Sequence, residues 1–255
     1  MTRDTDTLRE QEQQLWTLIA AKADEDDISD LFREITREHE DRMHSDYRDL
    51  QSRHDYCEFA LQFLRKYPAY DRYSIEWEIQ EIWSDFADKA EFTPELESLL
   101  FAAIRDNTLT DTPRVEQIAA DFYKNKNLDK ARAYYDLVRD KLTDEKSWWQ
   151  LAECYAAIDD LQTAESILYK GTFQHPDSFL LACNRGFYLY RLGQIDAALL
   201  TLDGVIHYAE QKKYTSDYYY IYALDLKMTI YNNQGMYMNA LLEKSRLSSA
   251  GKSSI

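Results

Sequence analysis

Glycine and proline are scarce here, six and four in 255 residues. A turn-rich all-β protein needs such punctuation at every hairpin, so the shortage excludes a sandwich or barrel and leaves helices. All six glycines, Gly171, Gly186, Gly193, Gly204, Gly235 and Gly251, lie in the second half, and none belongs to a GxGxxG or GxxxxGK cluster. A phosphate cradle needs backbone amides exposed by adjacent glycines, so no nucleotide loop is expected. Cysteine is sparse too: Cys57, Cys154 and Cys183 are odd in number and far apart. That number and spacing fit free thiols in a reducing compartment better than a disulfide framework. Long apolar runs are missing; LWTLIAA is far too short to cross a bilayer, and the opening MTRDTDTLREQEQQ lacks the basic-then-apolar order of a secretory signal. The expectation is a cytoplasmic chain with no membrane segment. Basic residues are in deficit, 30 against 46 acidic, for a net charge of −16. Such a field repels phosphate backbones and favours basic partners, so direct nucleic-acid binding is not expected.

What is present is apolar material in helical register, 45% of the chain, enough for a sizeable core. Leu96, Leu99, Leu100, Ala103 and Ile104 recur at the spacing of one buried helical stripe, with Thr93 as N-cap and Pro94 as first helical residue. Ile75, Ile79, Ile82, Trp83 and Phe86 make a second stripe. Tyr56, Ala60, Phe63 and Leu64 make a third, ended near Pro68, and Ile28, Leu31, Phe32 and Ile35 a fourth. Residues 1–110 therefore read as an acidic region of about five helices. Residues 1–60 hold 17 acidic against 8 basic side chains, a solvated face or a docking surface for a basic partner.

The second half repeats itself. Ala131 of NLDKARAYYDLV precedes Ala164 by 33 residues, and Ala198 of GQIDAALLTL follows it by 34. That period is the signature of stacked helical hairpins. Val115, Ala119, Phe122, Leu128, Ala131 and Tyr135 occupy the places held one repeat later by Trp148, Ala152, Tyr155, Leu161, Ala164 and Leu168. Gly186, Gly193, Ile195, Ala198 and Leu202 continue the register. After about eight extra residues around AEQKKYTS, so do Tyr231, Gly235, Tyr237 and Ala240. Small residues at 152 and 164 let two antiparallel helices approach to about 8–10 Å. The repeats span about 112–143, 145–178, 179–212 and 216–247 within a region 111–247, and residues 248–255 are expected to be a disordered tail.

Trp148, Leu151, Tyr155, Ala164 and Pro176 resemble the tetratricopeptide repeat (TPR), and the likeness extends over about residues 112–247. Arg185 and Lys227 depart from it where large apolar residues belong, and Met228 where a small one does. The resemblance implies an all-α solenoid of antiparallel hairpins whose first helices line a concave groove. The groove-facing positions would be Glu116 and Tyr123, Trp149 and Glu153, Cys183, Phe187 and Tyr190, then Tyr222 and Asp225. That wall is aromatic and acidic. Many TPR relatives hold a C-terminal carboxylate with lysine, arginine and asparagine; only Asn184 lies at a suitable place, which argues against that clamp. The aromatics bind a partner or pack against the N-terminal helices.

Other chemistry is thin. REHEDRMHSDYRDLQSRHDYC gathers His39, His44, His54 and Cys57, but His39 and His44 are five apart, about 140° around a helix, instead of the i, i+4 pair that zinc prefers. His39 continues the stripe of Ile35 and reads as a partly buried, hydrogen-bonded histidine, and Glu40 with His44 as an exposed i, i+4 pair. Cys154 reads as packing and Cys183 as a small surface hydrophobe on the inner wall; neither has a local base. No catalytic, metal or cofactor site is expected, and the chain reads as non-enzymatic. Its expected function is that of an adaptor or chaperone-like protein, binding a peptide or helix with basic and hydrophobic residues. A narrower resemblance is to the three-repeat secretion chaperones of bacteria. The alternative is an inhibitor or immunity-type protein whose acidic N-terminal face occludes a basic site. The last helix, MYMNALLEKSRL, is apolar nearly all round, which predicts a homodimer through it.

Overall fold

The computed structural model describes residues 5–45, 50–68, 70, 75–79, 81–82 and 93–250, and no strand occurs among them. The chain divides into two compact units, Met1–Arg114 and Val115–Ile255.

The first unit holds α1 (Thr5–Ala21), α2 (Glu25–Ser45), α3 (Leu50–Lys66) and α4 (Pro94–Arg105), with further helical residues at 75–79 and 81–82. Thr93 caps α4 as its sequence requires: its hydroxyl accepts the Leu96 N–H at 3.2 Å, ahead of Pro94. Acidic Glu25, Asp26 and Asp27 open α2, where the helix dipole favours negative charge. The stripes meet in the core. Ile28, Phe32 and Ile35 of α2 are buried, as are Tyr56, Ala60, Phe63 and Leu64 of α3, Ile75, Ile79 and Ile82, and Leu96, Leu100, Ala103 and Ile104 of α4. Phe32 stacks on Phe63 with ring centroids 3.8 Å apart. Trp83 and Phe86, expected on the same stripe as Ile79, lie outside the described residues.

His39 is buried, with Nε2 3.0 Å from Glu12 Oε1 and its ring stacked on Phe59. Glu40 meets a group that periodicity within one helix does not reveal. Its carboxyl shares a hydrogen bond with Glu78, and burial together with that carboxyl raises its pKa to about 7. The Tyr56 hydroxyl donates to the other side of the pair, on Glu78. The side chain of His44, the expected partner of Glu40, lies outside the described residues.

The second unit is four antiparallel hairpins: α5 (Thr112–Lys124) with α6 (Leu128–Leu137), α7 (Glu145–Ala156) with α8 (Leu161–Gln174), α9 (Phe179–Arg191) with α10 (Ile195–Lys212), and α11 (Tyr218–Asn233) with α12 (Tyr237–Ala250). The register alanines Ala131, Ala164, Ala198 and Ala240 are all buried, so they do mark contacts between helices. Gly186 does the same from the facing helix: a β-carbon there would stand 2.9 Å from Leu202 Cδ2. The extra residues before the fourth hairpin lengthen α10 to Lys212, after which Lys213 turns left-handed and Tyr214 N–H returns to Ala209 O at 2.8 Å.

Each hairpin turns in the same way. Lys126, Asp159, Gly193 and Gly235 all have positive φ, between 63° and 75°. The next amide, of Asn127, Asp160, Gln194 or Met236, donates five residues back to Phe122, Tyr155, Leu189 or Tyr231. These are Schellman ends, which satisfy carbonyls that the finishing helix leaves unpaired. Asn127 and Asp160 then cap the returning helix by accepting the N–H groups of Lys130 and Thr163.

The two basic departures from the repeat pattern find carboxylates. Arg185, in place of the expected large apolar residue, donates Nε to Glu165 Oε1 at 2.8 Å and lays its guanidinium over Tyr169. Lys227 is 3% exposed, and its Nζ bonds Asp203 of α10 and, at 2.8 Å, Glu243 of α12, which is buried as well.

Candidate functional site

First helices of successive hairpins lie side by side, α7 against α9 and α9 against α11, and form one wall of the second unit. The residues on it follow from the one-residue offset between faces of a helix. Trp148 points into the hairpin and is 1% exposed, whereas its neighbour Trp149 is half-buried on the wall. Tyr123 of α5 meets Trp149 edge-on, with ring centroids 5.8 Å apart.

Tyr123, Glu153 and Phe187, from three successive hairpins, line one cavity of about 360 Å³ with Leu128, Tyr188 and Arg191. Tyr188 donates its hydroxyl to Glu153 Oε1. Burial first, then the charge of Glu153, pushes the Tyr123 hydroxyl up to about 12. The carboxylate side of the cavity is thus electronegative and its walls are aromatic.

The remaining expected positions lie toward the last hairpin. Tyr222 is half-buried, stacks on Tyr218 at 6.3 Å, and has its hydroxyl pKa raised by burial, with the charges of Glu153 and Asp225 among the further causes. Asp225 is exposed. Tyr190 is half-buried against the core of the last two hairpins, and its hydroxyl accepts the side-chain N–H of Asn233.

Two positions expected on the wall are elsewhere. Glu116 is buried, and its carboxylate accepts Thr143 N–H at 2.8 Å, Thr143 Oγ1 at 3.0 Å and Asp144 N–H at 3.2 Å. It holds the link before α7, whose amides have no helical partner. Cys183 is not a surface residue: α11 packs over it, and its thiol donates to Tyr219 O at 3.4 Å. Burial pushes all three thiols, Cys57, Cys154 and Cys183, up to about 12, which leaves them protonated and poor nucleophiles at neutral pH. Tyr188 is the wall residue that periodicity misses. Its register assigns it to the core, where 98% of it lies, yet the phenol is long enough for its hydroxyl to reach Glu153.

Among the described residues, no group of three or more histidine, cysteine or carboxylate side chains is placed to hold a metal ion, and no helix is long and apolar enough to cross a membrane.

No family model matches the sequence, and no curated protein matches it. Solved structures do match. A crystal structure of MamA is 12% identical, covering 66% of this chain and 94% of that one with a TM-score of 0.51. A second crystal structure of MamA is 15% identical, covering 68% and 92% with a TM-score of 0.51. A further MamA structure, MSR-1 C2, is 12% identical, covering 80% and 98% with a TM-score of 0.50. At these identities the likeness is one of fold. Together with the four hairpins, the buried register alanines and the repeated turns, it gives the chain the all-α fold of a TPR-type solenoid.

Proposed function

We propose that this chain is a non-enzymatic adaptor or chaperone-like protein, and that the wall formed by α5, α7, α9 and α11 binds a peptide or helix of another protein. One observation carries the proposal: Tyr123, Glu153 and Phe187 of three successive hairpins stand together around an open cavity, and Trp149 meets Tyr123 edge-on, a surface of aromatic rings with one carboxylate. Aromatic anchors supply affinity at such surfaces, and charge selects the partner. Tyr190, Tyr222 and Asp225 extend the surface toward the last hairpin. The partner segment therefore carries apolar residues and at least one basic residue. Three buried, protonated thiols suit a reducing compartment, and we place the protein in the cytoplasm.

The test is a quantitative pull-down from native lysate with the full chain and with Trp149→Ala/Tyr190→Ala. A partner held by the wild type and lost by the double variant, with its melting temperature unchanged, supports the groove. A partner retained by the double variant but lost when Asp26, Asp30 and Glu34 become lysine favours the inhibitor reading, in which the acidic N-terminal face does the binding.

A further inference from the structure

Glu153 is the one carboxylate lining the cavity of about 360 Å³, and among the described residues it makes no ion pair. The bond it accepts from Tyr188 leaves most of its acceptor capacity open, since an ionised carboxylate offers about four lone-pair sites. The groups next to it on the wall favour a cation. Tyr123, Phe187 and Tyr188 present ring surfaces, the last two with centroids 5.5 Å apart and planes tilted by 55°. The faces of such rings attract cations through their quadrupoles. The helices α5, α7 and α9 all finish at this end of the wall, near Lys126, Ala156 and Arg191, so the negative ends of three helix dipoles converge there. Two cations, Arg191 and Lys126, line the cavity as well, both with exposed side chains. Arg191 lies 3.7 Å from Asp159, and Lys126 is exposed on its turn.

We propose that this cavity receives the guanidinium of an arginine from the bound segment, its plane against the Tyr123 and Phe187 rings and its N–H groups on Glu153. A planar guanidinium stacks on rings and pairs with a carboxylate at once, which an ammonium does less well. The proposal rests on the groove described above and names the side chain that the groove selects.

The test uses the full chain and two end-blocked peptides, Ser-Leu-Ser-Arg-Ser-Leu-Ser and the same peptide with citrulline, which keeps the shape and loses the charge. Binding is read from amide shifts in two-dimensional NMR spectra. The arginine peptide is expected to bind at least ten-fold more tightly than the citrulline peptide, and to shift the amides of Glu153, Phe187 and Tyr188. Glu153→Gln, whose amide oxygen still accepts the Tyr188 hydroxyl, is expected to fold and to bind both peptides alike; Phe187→Leu is expected to weaken the arginine peptide most. Equal binding of the two peptides to the wild type, or a preference that survives in Glu153→Gln, overturns the pocket. Equal binding that Trp149→Ala/Tyr190→Ala abolishes removes the pocket and keeps the groove, whereas an arginine preference untouched by that double variant keeps the pocket and removes the wider groove. Failure of the arginine peptide to bind the wild type also counts against the pocket.

Discussion

Trp148 packs over Gly171 within the second hairpin. A β-carbon at Gly171 would stand 3.0 Å from the indole Cγ and 3.1 Å from Leu181 Cδ1, so the glycine is what admits the ring. Truncating a fully buried indole loses its transfer energy and leaves a cavity, and Trp148→Ala is expected to cost about 3–5 kcal/mol in urea unfolding. Trp149→Ala, on the half-buried side of the same helix, is expected to change stability by less than about 1 kcal/mol. The opposite order would place the register one residue away. Glu40 offers a second test at this scale. Its pKa stands at about 7 against an ordinary 4.5 because burial and Glu78 disfavour its charge. The folded chain then keeps a proton that the unfolded chain loses, so this contribution to stability is complete below pH 4.5 and is lost as pH rises through about 7. Melting curves of Glu40→Gln and wild type are expected to agree most closely near pH 4 and to separate in favour of the variant toward pH 8. A constant difference across that range would contradict the carboxyl pair.

Helix α12 is held to the array by an ion network where the first two repeats use an apolar contact. In the first two hairpins the position equivalent to Lys227 is Ile118 and Leu151, both buried. In the fourth, Lys227 joins α11 to Glu243 of α12 and to Asp203 of α10, and Arg246 approaches Glu243 at 3.4 Å. Removing one member of a buried pair leaves the other charge without compensation. Lys227→Leu is therefore expected to lower stability by about 3 kcal/mol, the low end for such a loss because Arg246 stays within reach of Glu243. Adding Glu243→Leu is expected to recover most of it, because an apolar pair of similar size replaces a buried ion pair at little cost. Two single losses that simply add in the double variant, read by chemical unfolding, would show that the two side chains do not act on each other.

At the scale of the whole molecule, two features govern how it meets other proteins. The first is charge: at −16 the chain attracts basic partners from a distance, but exposed charges are screened over about 8 Å at physiological salt. A partner seated among the rings of the wall is expected to lose less affinity between low and high salt than one held by the acidic N-terminal face. The second is the face of α12, where Tyr237, Met238, Leu241 and Leu242 are all more than half exposed. Identical apolar faces can cover one another about a two-fold axis, and we propose that a second copy covers this one. Light scattering over a dilution series is expected to show a dimer that Leu241→Glu turns into a soluble monomer. A monomer at every concentration rules the dimer out.

The hairpins were legible in the sequence because what makes them is local. Ala131, Ala164 and Ala198 recur at 33 and 34 residues, and each is buried where its helix meets its partner. Thr93, Asn127 and Asp160 cap the helices that follow them through bonds only three residues long. Helical period, small residues at close contacts and capping side chains act within a turn or a hairpin, so they can be read along the chain. The fate of individual polar and reactive side chains was decided only in three dimensions. Glu116 left the wall for amides 27 and 28 residues away, Cys183 was covered by a helix whose carbonyl lies 36 residues on, and Lys227 became tolerable through Glu243, 16 residues later. Glu153 and Tyr188, 35 residues apart, met across two hairpins to make one side of a cavity. Whether a charge or hydroxyl is buried depends on the partner that a neighbouring helix brings to it, and a period in the sequence carries no record of that pairing.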